Sequence, residues 1–243
     1  MMRHFPAILA TAALLGAADS LPLPLPQLTD RMAQMDQARQ KSLERYADTR
    51  RYILDNKRFK THAEMTVRMT YGSSGKKEFH VVSESGSPWV RKYVFRRLMR
   101  VEQENSAAAA RRDVRISADN YEFRLIGTET ANGRPCYLLD AVPKTRNKYL
   151  FRGRIWVDAE DAAVTRIEGS PAQLPSLWTS SVHFVHQFQK IGPYWLAASN
   201  VSETEVRLFG STEIKVEYFD YVVNPPVRNA ITADPPGPST PSN

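Results

Sequence analysis

The chain has 243 residues, 42% of them hydrophobic, and a formal net charge of +7. With its two ends set aside, that length fits one domain with an ordinary core. The single cysteine, Cys136, excludes an intramolecular disulfide, so the fold must hold by packing.

The N-terminus reads as an export signal. Arg3 supplies a short positive stretch, and Ala7 to Ala18 form an apolar run about a dozen residues long. That is short of the roughly twenty apolar residues a membrane-spanning helix needs. Small residues at Gly16, Ala17, Ala18 and Ser20 place cleavage after Ala18 or after Ser20, so residues 1–20 are expected to be removed. No cysteine lies near that region to carry a lipid, and no later segment is long and apolar. The expected product is soluble and periplasmic. For such a product the positive charge serves general solubility or meets anionic head groups, lipopolysaccharide or wall polymers. No nucleic-acid partner is expected.

Pro22, Pro24 and Pro26 predict an extended spacer over residues 21–28. Thr29 or Asp30 is an apt N-cap, and Leu28, Met32, Met35, Leu43, Tyr46 and Ile53 recur at helical spacing, predicting a helix from Asp30 to Asp55. From Phe59 the period becomes two. Met65, Val67, Met69 and Tyr71 alternate with Thr66, Arg68 and Thr70, and the turn from Gly72 to Gly75 makes a hairpin with Lys76 to Ser85. Ser87-Pro88 opens a second helix, since Ser caps well and Pro at the first position loses no hydrogen bond. Its apolar face is Val90, Val94, Leu98 and Val101, and it fades after Glu104.

Beyond Asp119 every signal is β. Asn132-Gly133 suits a tight turn because both residues tolerate positive φ. Further hairpins turn at Ala159-Glu160-Asp161 and at Gly192-Pro193, and Glu213 to Val223 closes the domain. Residues 225–243 are rich in Pro and Ser, have little to bury, and are read as a disordered tail. The domain is thus expected over residues 29–224. Its class is α+β, mainly β: a strongly curved antiparallel sheet with an N-terminal helix and a second helix on its concave side.

The chemistry-bearing residues are few. His183 and His186 sit on a strand pattern, where residues three apart face opposite ways, so a metal site is not expected there. Asp158, Glu160 and Asp161 lack the spacing of a calcium loop. No catalytic or nucleotide-binding fingerprint occurs, so no cofactor and no enzyme activity are expected, although a dispersed Ser-His-Asp hydrolase site is a weaker alternative. Cys136 lies within an alternating strand, as a small buried hydrophobe does. Trp156, Trp178, Phe184, Phe188, Trp195 and Tyr218 crowd the second half, as sheet core or as the lining of an apolar cavity. Arg91, Lys92, Arg96, Arg97 and Arg100 make the second helix a solvated face or a head-group and partner-docking surface.

The run Phe151-Arg152-Gly153-Arg154-Ile155-Trp156-Val157-Asp158, followed by Val164-Thr165-Arg166-Ile167-Glu168-Gly169, resembles a strand pair of outer-membrane lipoprotein-sorting proteins in the LolA/LolB/RseB-like superfamily. The order of elements fits the same superfamily from Leu28 to Val223. The resemblance implies an unclosed β-barrel lidded by helices, with acyl chains held in its cavity. It also implies an Arg on an early strand that gates the lid, and Arg68 lies in a comparable region. The expected function is a periplasmic carrier or binding protein for lipid or lipidated protein. The alternative is an RseB-like envelope sensor that binds a protein partner. The missing lipobox cysteine speaks against an anchored LolB-like receptor.

Overall fold

The structure, a computed structural model, describes residues 23–72, 75–104, 106, 112–147, 149–174, 179–207 and 210–225. The signal segment and most of the Pro-rich tail lie outside these residues.

The first helix, α1, spans Leu25–Ser42. It starts within the expected spacer because Pro26 sits in the first turn, where the missing amide hydrogen would have no partner. It does not reach Asp55. Residues Tyr46–Asn56 are instead a strand, β1, that pairs on both sides. The strands that follow are β2 (Thr61–Tyr71) and β3 (Lys77–Gly86). A helical connection then runs over 88–104, as α2 (Pro88–Val90), a π-helical turn (Arg91–Phe95) and α3 (Arg96–Glu104). The Ser87 hydroxyl accepts from the Val90 amide, as expected of a cap. The remaining strands are β4 (Tyr121–Ala131), β5 (Arg134–Pro143), β6 (Phe151–Asp158), β7 (Val164–Pro171), β8 (Thr179–Ile191), β9 (Tyr194–Val206) and β10 (Gly210–Val223). Asn132 and Gly133 have φ of 53° and 74°, the left-handed pair their turn requires.

All ten strands form one antiparallel sheet in the order β3-β2-β1-β10-β9-β8-β7-β6-β5-β4. The sheet curls but does not close into a barrel, and β3 and β4 are its free edges. The helical connection carries the chain from one edge to the other.

Both helices pack on the concave face, over separate cores. Leu28 and Met32 of α1 cover Tyr121, Tyr137, Leu139, Ile155 and Val157. Val90, Phe95 and Met99 of the connection cover Tyr52, Leu54, Met65, Val67 and Val216. Burying a side chain such as Leu28 contributes roughly 1.5–3 kcal/mol, which explains why a short amphipathic helix stays docked. No helix among the described residues is long and apolar enough to cross a membrane.

Candidate functional site

Between the two cores the concave face carries a stacked row of π systems. The His186 ring lies 4.5 Å from Phe188 and 6.5 Å from Tyr218, nearly parallel to both. The Arg50 guanidinium then lies 4.9 Å over Tyr218 and 5.3 Å from the ring of Phe79. The row therefore crosses β8, β10, β1 and β3, linking the two cores.

Arg50 is buried and saturated with carboxylate. It donates to Asp48 at 2.7 and 3.3 Å and to Glu102 of α3 at 2.6 Å. Lys77 at the start of β3 donates to the other Glu102 oxygen at 2.6 Å. Burial works to raise the Glu102 carboxyl, but Lys77 and Arg50 outweigh it and hold it below its ordinary value. Burial raises Asp48, and Arg50 only partly pulls it back. Burial, helped by Glu102, Tyr52 and Asp48, pushes the Tyr218 hydroxyl up against the pull of Arg50. The His186 ring is driven the other way, to a pKa of about 4, because burial disfavours its cation. It is neutral at physiological pH. Opposite it on β9 stands Asn200. His186 Nε2 and Asn200 Oδ1 are buried without a hydrogen-bond partner among the described residues.

At the α1 end the row opens into a cavity of about 290 Å³. Met32 and Met35 of α1, Ile116, Phe188 and Trp195 supply its apolar wall. Its rim is polar: Asp36 pairs with Arg39 at 2.9 Å and with Arg115 at 3.3 Å. The Trp195 indole donates to Asp161 at 2.8 Å, and Lys190 pairs with the same carboxylate at 2.7 Å. Burial raises Asp161, yet those two partners bring it below its ordinary range. An apolar wall with a few placed polar groups is the usual make-up of a small-molecule site.

Of the six aromatic residues singled out in the sequence, four lie on this face. Phe188 and Trp195 line the cavity, Tyr218 stands in the row, and Phe184 packs edge-on against Phe151 at 5.9 Å. Trp156 stands on the opposite face, with Cys136 and Leu138; Arg166 lies 4.8 Å over its ring and Glu129 accepts from its indole at 2.8 Å. Its strand neighbours Ile155 and Val157 point into the core, so alternation sends it outward. Trp178 lies outside the described residues. The same alternation separates His183, 3.7 Å from Glu168, from His186. Arg68 bonds Thr49 Oγ1 at 3.0 Å and Asp220 O at 3.3 Å, away from the connection. The Arg that reaches α3 is Arg50, which sequence reasoning missed because it had been placed within a helix.

The basic residues of the connection divide in two. Arg91 and Arg96 both pair with Glu84, at 2.7 and 3.3 Å. Lys92, Arg97 and Arg100 carry no such pair among the described residues, and with Arg96 and Tyr149 they line an open groove of about 570 Å³. Beside them Trp89 and Tyr93 are 63% and 52% exposed, with ring centroids 5.6 Å apart.

No curated protein matches the sequence. Among solved structures the chain is similar to a DUF1329 family protein of Desulfovibrio piger, with a TM-score of 0.46 and 13% identity over 83% of this chain and 93% of that one. It is similar to a protein domain of Vibrio parahaemolyticus described as outer-membrane lipoprotein-sorting, with a TM-score of 0.42 and 13% identity over 79% and 91% of the two chains. It is similar also to a LolA superfamily protein of Nitrosomonas europaea, with a TM-score of 0.44 and 7% identity over 82% and 93%. A family model described as "Uncharacterized protein" matches residues 108–229, half of the chain, and the chain belongs to that family.

Proposed function

We propose that this protein is a periplasmic carrier or binding protein that takes an acyl chain of a lipid or lipidated protein into the cavity under its first helix. The observation that carries this reading is the apolar cavity under α1, continuous with the aromatic row through Phe188. A chain threaded there would gain about 0.8 kcal/mol for each methylene removed from water. The volume of about 290 Å³ sits at the lower end of the range for small-molecule sites, roughly 300–1,000 Å³, and suits one chain or its end. In this reading the protein is not an enzyme and needs no cofactor.

The test is lipid mass spectrometry on protein purified from its native host, with displacement of an apolar fluorescent dye. An acylated species is expected to co-purify. Met35→Glu, at a half-exposed position on the cavity wall, is expected to weaken dye binding at least tenfold by setting a charge against the chain. No bound lipid and no dye binding would overturn the reading.

A second reading, an interaction module for an envelope protein, is favoured by exposed Trp89 and Tyr93 beside Lys92, Arg97 and Arg100. Aromatic and arginine side chains are the common anchors of such surfaces. Capture of one envelope partner, lost on Arg97→Glu/Arg100→Glu with dye binding intact, would establish it.

A further inference from the structure

The groove at the far ends of the strands has a different chemistry from the cavity under α1. We infer that the groove formed by Lys144, Arg146, Arg152 and Arg207 is a binding site for a phosphate group, carried by a soluble ester or by an anionic lipid head group. The groove encloses about 910 Å³ and also takes in Thr145 and Ser180. Among the described residues four cations line it, and no carboxylate does.

Unpaired cations among the described residues also line the groove of Lys92, Arg97 and Arg100, but that groove includes the carboxylate of Glu104. Arg50, Arg51, Arg91, Arg134 and Arg166 each meet a carboxylate within 3 Å. Among the described residues Arg146, Arg152 and Arg207 meet none, and Lys144 donates only to the backbone oxygen of Ala118, at 2.6 Å. They come from three separate places: the loop after β5, the start of β6, and the residue that follows β9. Like charges so gathered repel one another, a cost that an anion between them removes. Guanidinium forks match phosphate oxygens two at a time, while the lysine adds a point charge and the hydroxyls add neutral donors.

The site is separate from that cavity. The groove lies at the start of β6, and the cavity borders the turn after its end, about 26 Å away along an eight-residue strand. A phosphate here is therefore not the head of a chain held in the cavity.

Calorimetric titration of the full chain with sodium phosphate and with glycerol 3-phosphate tests the inference. Co-sedimentation with vesicles of equimolar phosphatidylglycerol and phosphatidylcholine, against phosphatidylcholine alone, completes it, all at fixed ionic strength. Saturable binding of at least one phosphate-bearing probe is expected, weakened about tenfold or more by Arg152→Glu/Arg207→Glu. Both positions are exposed, so the variant folds, and an unchanged melting temperature checks this. Lys41→Glu, at the exposed end of α1, is expected to leave the binding as it was. Binding of a soluble probe assigns a soluble ester; binding of the phosphatidylglycerol vesicles alone assigns a lipid head group. No saturable binding of any probe, or wild-type affinity in Arg152→Glu/Arg207→Glu, would overturn the inference. Apolar dye binding in that variant is unchanged, so the groove and the carrier reading fail separately.

Discussion

His186 shows what a single residue does on a mixed surface. It is stacked between Phe188 and Tyr218, and burial lowers its pKa to about 4 from an ordinary 6.5. Between these values the unfolded chain takes up a proton that the folded chain refuses. Stability is therefore full above pH 6.5, falls as pH drops toward about 4, and loses nothing more to this residue below that. The loss is on the order of 3 kcal/mol over the window. Glu102, held below its ordinary value of 4.5, adds its own loss as pH falls below that value. Urea midpoints at pH 7 and pH 5 measure the effect, and His186→Phe is expected to bring the two midpoints together. An unchanged gap would show that other groups carry the acid sensitivity. Trp156 is the opposite case at this scale: an aromatic that looks like cavity lining by type and is turned away by parity alone.

Among the elements, the joint between sheet and helical connection is ionic as well as apolar. Asp48, Arg50, Glu102 and Lys77 tie β1, β3 and α3 together beneath Phe95 and Met99. Asp48→Ala leaves the buried guanidinium short of one carboxylate, which costs about 3–5 kcal/mol. The double change Asp48→Ala/Arg50→Met removes the orphaned charge and is expected to recover most of that loss in urea unfolding. If the double variant were no more stable than the single one, packing rather than charge would be what the network supplies.

This joint also marks the limit of reading from sequence. The hairpins at Asn132-Gly133 and Gly192-Pro193 were legible because their turn chemistry is local. The cap at Ser87 was legible for the same reason. β1 was not, since its inward-facing positions include Asp48, Arg50 and Asn56, and charges on a buried face erase the apolar alternation that identifies a strand. Leu43, Tyr46 and Ile53 then fell by chance at helical spacing. The cavity residues Phe188 and Trp195 could be named from type and strand, but their meeting with Met32 and Met35 depends on where α1 docks. The π-helical turn at Arg91–Phe95 has no comparable local signal.

For the whole molecule, the arrangement separates two cores that share one sheet, with the aromatic row between them and the cavity under α1 beside the first. A ligand wedged under α1 adds contacts that only the folded state has. At a hundredfold excess over its dissociation constant it contributes about 2.7 kcal/mol. In a domain of this size that raises the melting temperature by roughly 5–10 °C. Differential scanning fluorimetry with an apolar ligand is expected to show this rise in the wild type and to lose it in Met35→Glu. A rise that survives the substitution would place the ligand elsewhere.

The two edges, β3 and β4, never meet. A closed barrel has a circumference set by its strand number and shear, so widening it means breaking a ladder. Here every ladder can stay intact while small changes of twist at nine interfaces draw the edges together or let them part. Girth is thus an elastic property of this container rather than a fixed one. In the proposed carrier, guests of unequal thickness could then be clasped by one sequence.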